Sequence, residues 1–130
     1  MIHYGGGTVR FKIDEGSPIY RQILETFIRQ IACGHWSPGE KLPSIREVAE
    51  MARVNPNTIA RAFQELERTG LAETKRGEGT FVTTDSNAIA ECRGDTARQI
   101  WTEFLEKIRE LGFTNAEIKR LASGLKEESV

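Results

Sequence analysis

Apolar residues recur at helical spacing along most of this chain, and short turn signals separate the stretches. This periodicity predicts helices over residues 18–33, 44–51, 56–69, 88–111 and 115–126. Two stretches with strand character, residues 71–75 and 80–84, flank a glycine-containing turn and predict a β-hairpin. A further strand is predicted at residues 8–14, whereas residues 1–7 contain consecutive glycines and are expected to be flexible. The predicted class is mainly α with a small β element.

The predicted helices begin at residues that suit a helix start. Ser17 followed by Pro18 suits the cap and first position of the first helix. Ser44 and Glu47 form the S-x-x-E pattern of a capping box, and Asn55 is a favourable N-cap for the third helix. Helical spacing turns two groups of apolar residues inward: Ile45, Val48 and Ala49 in the second helix, and Ile59, Ala62, Phe63 and Leu66 in the third.

A short helix, a turn, a second helix and a hairpin follow one another in the order of a winged helix-turn-helix, a fold that places one helix in the DNA major groove. Asparagine and arginine pair with bases and phosphates, and glycines let a hairpin approach a duplex closely. The candidate DNA contacts are Ser44, Arg46, Asn55, Asn57, Thr58, Arg61, Lys75, Arg76, Gly77 and Gly79. Plainer roles remain open for some of them. Arg46 could pair with Glu50, Asn55 could only cap its helix, and Asn57 and Thr58 could be solvated surface.

The last two predicted helices form an αα-hairpin with more apolar surface than it can cover by itself. Its candidate dimer-interface residues are Ile100, Trp101, Phe104, Leu105, Ile108, Leu111, Ile118 and Leu121. A second copy of the hairpin is the favoured cover because two-fold dimers are the commonest assembly, and the first helix of the same chain is the alternative. We therefore predict a winged helix-turn-helix DNA-binding domain at residues 1–84 and a two-helix dimerisation region at residues 85–130.

Charge qualifies the DNA-binding hypothesis without removing it. The chain has 130 residues and a net charge of −1, and residues 8–84 carry 11 Lys/Arg against 10 Asp/Glu. A DNA-binding module that is only slightly basic must obtain its affinity from a few well-placed cations, doubled by a dimer, and the affinity should fall with salt.

Other functional classes find little support in the sequence. No catalytic set, phosphate loop or metal-ligand spacing is present, so neither an enzyme nor a cofactor is expected. Cys33 and Cys92 are expected to be reduced, partly buried thiols, with a redox switch as the minority reading. No apolar run approaches the length of a membrane span and no signal peptide is apparent, so a cytoplasmic location is expected.

Five motifs stand in a fixed order along residues 17–84. They are Pro18-Ile19-Tyr20-x-Gln22-Ile23, the segment from Gly34 to Gly39, Leu42-Pro43-Ser44-x-Arg46-Glu47, Val54-Asn55-Pro56-Asn57-Thr58 and Gly77-x-Gly79-Thr80-Phe81-Val82. In this order they resemble the GntR family of bacterial transcription regulators. The remaining tail is similar to the short two-helix dimerisation region of the YtrA branch of that family.

The resemblance implies roles for individual residues. Arg46 corresponds to a DNA-contacting arginine, and Arg76 with Gly77 corresponds to a wing tip that reaches the minor groove. The residues that open the recognition helix would touch bases and phosphates: Asn55, Asn57 and Thr58. Pro56 stands where many members of the family carry arginine, so this chain lacks that guanine reader.

The leading hypothesis is a homodimeric transcription regulator, a repressor that binds double-stranded DNA at an inverted-repeat operator. The alternative is a winged-helix protein-interaction module that does not bind DNA, which the low net charge supports. The tail has little room for a ligand pocket of its own, so any small-molecule effector is expected between subunits or between the tail and the winged domain.

Overall fold

Five helices and two antiparallel β-hairpins make up the described part of the chain. The computed structural model describes residues 2–4, 7–9, 11 and 13–125. Its elements, in chain order, are β1 (Ile2–Tyr4), β2 (Gly7–Val9), α1 (Ile19–Ala32), α2 (Ile45–Ala52), α3 (Pro56–Arg68), β3 (Ala72–Lys75), β4 (Gly79–Val82), α4 (Ser86–Glu110) and α5 (Asn115–Leu125). Contacts divide the chain into two compact units, Met1–Gly94 and Asp95–Val130. The fold is mainly α with a small β wing, as predicted.

The core of the first unit is built around one aromatic side chain of α1. The Phe27 ring is fully buried and lies 5.3 Å from the ring of Trp36 and 5.2 Å from that of Phe63. Phe11 closes the cluster from the N-terminal side, with its ring centroid 5.9 Å from that of Phe27. The predicted apolar face of α3, from Ile59 to Leu66, is buried in the same core. This packing fixes α3 against α1 and leaves the opposite face of α3 to solvent.

Local hydrogen bonds set the start of α2 and of α3. The Glu47 amide donates to Ser44 Oγ at 3.1 Å, and the Ser44 amide donates to Glu47 Oε1 at 3.3 Å, so the predicted capping box is present. The Asn57 amide donates to Asn55 Oδ1 at 2.8 Å, which caps α3. Between the two helices Arg53 takes a left-handed conformation with φ of 55° and ends α2.

The wing is wider than the predicted hairpin. β3 and β4 pair antiparallel with Ala72 opposite Val82 and Lys75 opposite Gly79. The segment before α2 then adds to the free side of β4. The Leu42 amide donates to the Thr80 carbonyl, and the Val82 amide donates to the Glu40 carbonyl, both at 2.8 Å. Backbone hydrogen bonds therefore tie the wing to the chain that leads into α2.

The C-terminal helices also begin at side-chain caps. Asp85 Oδ1 accepts from the Asn87 and Ala88 amides at the start of α4. Thr114 and Glu117 form a second capping box, at the start of α5. Ile89 and Cys92, near the start of α4, pack against the core of the first unit. Although α4 has 25 residues, neither it nor any other described helix is long and apolar enough to cross a membrane.

The N-terminal prediction was wrong in two respects. Strand β2 covers residues 7–9 rather than 8–14, and residues 13 and 14 lie outside any strand. Residues 2–4, expected to be flexible, form β1 and pair with β2, whereas Met1, Gly5, Gly6, Arg10 and Lys12 lie outside the described residues. Two glycines separate the strands in the sequence, and such a pair is a hairpin signal as well as a sign of flexibility.

Three smaller expectations also need correction. Ile45 was predicted to point inward, but it is exposed, because it is the first residue of α2 and lies at the rim of the core. The cap of α1 is Pro18 rather than Ser17, since Pro18 has an extended ψ of 140° and helical geometry begins after it. Cys33 follows the last turn of α1 and is exposed, not partly buried, whereas Cys92 is half-buried.

Candidate nucleic-acid interface

Arg46 lies on the exposed side of α2, close to the start of the recognition helix α3. It lines an open groove of about 560 Å³ together with Ile45 and Pro56. Glu50 lines the same groove, yet it forms no ion pair with Arg46 in the described part of the chain. The alternative of a simple Arg46–Glu50 pair is therefore not what the structure contains. The guanidinium remains available to an anion beside the first turn of α3.

The two asparagines at the start of α3 differ in what their side chains do. Asn55 uses its carbonyl oxygen to cap the helix. The Asn57 side chain is exposed and makes no hydrogen bond to another described residue. Bidentate reading of adenine needs both the oxygen and the amide nitrogen of an asparagine. Asn57 can therefore offer both groups to a base, whereas the Asn55 oxygen is already engaged.

A second groove, of about 370 Å³, runs between the first turns of α1 and α3. Asn57, Thr58 and Arg61 line it from α3, and Ile19 and Tyr20 line it from α1. The carbon of the Arg61 guanidinium lies 3.8 Å from the centroid of the Tyr20 ring. The structure thus brings Arg61 together with two of the other predicted contacts of the recognition helix.

The predicted wing contacts form a separate group. Lys75 Nζ lies 4.7 Å from the centroid of the Phe81 ring. Arg76 and Gly77 stand exposed at the tip of the hairpin, where Gly77 has a φ of +79°. Gly79 has a φ of +123°, and a Cβ atom built there would lie 2.7 Å from Cε of Lys41. The glycines therefore permit both the tight turn and the close passage of a lysine side chain.

The predicted cations of this surface are not neutralised by carboxylates of the chain. Within the described part, the ion pairs join Arg68 to Glu65 and Arg98 to Asp95, and neither pair includes a predicted DNA contact. Four predicted cations carry no ion pair in that part: Arg46, Arg61, Lys75 and Arg76. Although the module is nearly neutral as a whole, its positive charges on this surface stay available to phosphates.

Sequence reasoning missed two residues of this surface. Tyr20 was named only within the first of the five motifs, and Lys41 was not considered. Tyr20 meets Arg61 through the packing of α1 on α3, and Lys41 reaches Gly79 because residues 39–42 add to the wing. Both contacts join residues from different elements, so no periodicity in the sequence indicates them.

Most of the predicted dimer-interface residues on α4, and Leu111 directly after it, are exposed. The exposed fraction is 54% for Trp101, 40% for Phe104 and 72% for Leu111, and Ile100 is similarly exposed. The Trp101 and Phe104 rings stack with centroids 5.7 Å apart. Leu105, Ile108 and Leu121 are half-buried, while Ile118 is buried within a single protomer. An exposed apolar face with two stacked aromatic rings is typical of an interaction surface.

Comparison with known proteins shows that the chain is similar to bacterial transcriptional regulators. Residues 19–82 match the family model described as bacterial regulatory proteins of the gntR family. The chain is 37% identical over 107 residues to YhcF of Bacillus subtilis, an uncharacterized HTH-type transcriptional regulator, covering 82% of this chain and 88% of YhcF. It is 35% identical over 113 residues to the HTH-type transcriptional repressor YtrA of the same organism, covering 87% of this chain and 85% of YtrA.

A solved structure extends the likeness to three dimensions. A GntR family transcriptional regulator from Listeria monocytogenes superposes with a TM-score of 0.77 at 35% identity, and the match covers 88% of this chain and all of that one. The sequence matches, the matching fold and the exposed polar start of α3 all indicate the same family. The chain belongs to the GntR family of DNA-binding, helix-turn-helix transcriptional regulators.

Proposed function

We propose that this chain is a homodimeric transcriptional repressor that binds an inverted-repeat operator. The observation that carries the DNA-binding part is the exposed polar start of α3. Asn57 and Arg61 line one open groove there, and Arg46, which has no ion pair in the described part of the chain, lines a second groove together with Pro56. Similarity to YtrA, which is named a repressor, supports the sign of regulation. No catalytic activity is proposed, because the relatives are named transcriptional regulators.

The two parts of the chain predicted from the sequence have different proposed roles. Residues 1–84 would bind DNA and residues 85–130 would dimerise. Within the first part, helix α3 would enter the major groove and α2 would lie across the backbone, with Arg46 on a phosphate or guanine and Asn57 on a base. Lys75 and the wing tip would contact the backbone or the minor groove. Ser44, which still has a hydroxyl proton to donate, would contact a phosphate at the start of α2.

The uncovered face of α4 supports the homodimer. Trp101, Phe104 and Leu111 expose large apolar surfaces in a single protomer, and a matching hairpin from a second copy would bury them. Two α3 helices related by a two-fold axis would then read two half-sites of opposite orientation, about one helical turn apart. An effector between subunits stays a prediction, as does the cytoplasmic location.

Arg46→Ala tests the DNA-binding assignment directly. We expect operator affinity to fall by about 1–3 kcal/mol, roughly 5- to 150-fold, because a charged pair with the duplex is lost. Fluorescence anisotropy on a labelled operator measures the change. Arg68→Ala is the matched control, since Arg68 is an exposed arginine in the last turn of α3 and pairs with Glu65. Equal affinity of wild type and Arg46→Ala would remove the assignment.

The operator itself can be obtained by selecting bound sequences from a random DNA pool with the full chain. We expect an inverted repeat whose half-sites are separated by whole helical turns. Recovery of a single half-site, or of direct repeats, would contradict the two-fold arrangement. Placing the recovered operator between a promoter and a reporter gene then tests repression, with expression expected to fall when the protein is supplied.

A further inference from the structure

Arg61 of the recognition helix is held by an aromatic ring from a different helix. Tyr20 is the second residue of α1, and its ring centroid lies 3.8 Å from the guanidinium carbon of Arg61. The tyrosine is half-buried and packs against the core of the winged domain. The ring is therefore a fixed support, while Arg61 itself is exposed.

The contact leaves the hydrogen-bonding capacity of Arg61 unused. A guanidinium attaches to an aromatic ring through its flat face, and its five N–H donors lie in the plane, directed outward from its edges. In the described part of the chain Arg61 has no ion pair and no hydrogen bond through its side chain. Its donors are therefore free for a phosphate oxygen or for the acceptor edge of a base.

We propose that Tyr20 is a positioning residue that holds Arg61 ready for contact with DNA. This inference rests on the proposed function. The two residues line one groove with Asn57 and Thr58, so the supported guanidinium stands beside the predicted contacts of the first turn of α3. A long side chain that is already ordered loses less conformational freedom on binding, and this raises affinity without adding a contact.

A double-mutant cycle on the full chain tests the coupling, with affinity for the selected operator as the readout. The variants are Tyr20→Leu, Tyr20→Phe, Arg61→Ala and the combination of Tyr20→Leu with Arg61→Ala. We expect Tyr20→Leu to weaken binding about three- to tenfold in the wild-type background, in line with the strength of such contacts, and to have almost no effect once Arg61 is alanine. Tyr20→Phe keeps the ring and should bind like the wild type.

Several results would overturn the inference. A role of Tyr20 in packing alone would weaken binding by the same factor whether or not Arg61 is present. A large loss in Tyr20→Phe would assign the effect to the hydroxyl instead of the ring. Unchanged affinity of Arg61→Ala would show that the supported cation does not contact the duplex. Arg68→Ala, at an exposed arginine in the last turn of α3 that pairs with Glu65, should stay within twofold of wild type.

The cycle separates this inference from the proposed function. Wild-type binding that is weakened by Arg46→Ala keeps the proposed function, whatever the Tyr20 variants do. Absence of binding by the wild type would end both. Thermal unfolding of each variant, followed by circular dichroism, confirms that affinity is compared between folded proteins.

Discussion

The asparagines on either side of Pro56 differ in what their side chains contact, although they are the same residue type. Asn55 holds the Asn57 backbone amide and so fixes where α3 begins, whereas the Asn57 side chain is exposed on the outward face. The same residue type therefore serves the fold at Asn55, while the proposed role of Asn57 is recognition of a base.

Alanine substitutions should separate these roles. Asn55→Ala removes the cap of α3 and should lower the free energy of unfolding by about 1 kcal/mol. Asn57→Ala should leave that free energy within about 0.5 kcal/mol of wild type, because it removes an exposed side chain without a partner. It should instead weaken operator binding by about 1–3 kcal/mol. Urea unfolding and anisotropy measure the two effects, and a loss of binding without a loss of stability in Asn55→Ala would reverse the assignment.

Residues whose roles are local could be predicted from the sequence. The Ser44–Glu47 box and the Asn55 cap depend on neighbours within one helical turn, and both are present. Ile45 was misplaced because periodicity assumes a helix buried along its whole length, while the first turn of α2 lies at the rim. The meeting of Tyr20 with Arg61 depends on how α1 packs on α3, and no local pattern encodes it.

At the scale of elements, the wing contains two glycines whose backbone angles differ in how strongly they exclude other residues. Gly77 has a left-handed φ of +79° and nothing within 4 Å of an added Cβ atom. Gly79 has a φ of +123°, which residues with a side chain hardly adopt. The hairpin signal in the sequence predicted a turn here, but it did not distinguish the two glycines, since their difference lies in backbone angles.

Alanine at the two glycines should therefore have graded effects. Gly77→Ala should lower the free energy of unfolding by about 1 kcal/mol, the penalty of a left-handed alanine. Gly79→Ala should lower it by about 2–3 kcal/mol because of backbone strain. The nearby Lys41 side chain adds little to this difference, since its end can move aside. Urea unfolding at a fixed protein concentration gives both values, and equal losses would contradict the argument from φ.

At the scale of the whole molecule, the affinity for DNA is expected to depend on self-association. A nearly neutral module with few exposed cations has limited affinity as a single copy, and joining two copies raises it through effective concentration. Helix α4 could be predicted because helical periodicity is a local signal. The partner that covers it is a matter of assembly and stays a prediction.

Trp101→Glu should separate the copies. A carboxylate in the centre of an apolar interface would have to be buried without a partner, so we expect a monomer at micromolar concentration by sedimentation equilibrium. Operator affinity should fall about 100-fold or more as bivalent binding is lost. Glu106→Lys, on the opposite side of α4 by helical spacing, is the matched control and should remain dimeric. A dimer that persists in Trp101→Glu would place the interface elsewhere.

The strand-like segment at residues 39–42 limits which operators the protein can recognise. The Gly39 and Leu42 amides donate to β4, and the Val82 amide donates back to Glu40, immediately before α2 begins. These hydrogen bonds therefore hold the wing in a fixed position relative to the helix-turn-helix. With α3 and the wing both on DNA as proposed, a half-site lengthened by one base pair between their two contacts would satisfy only one of them.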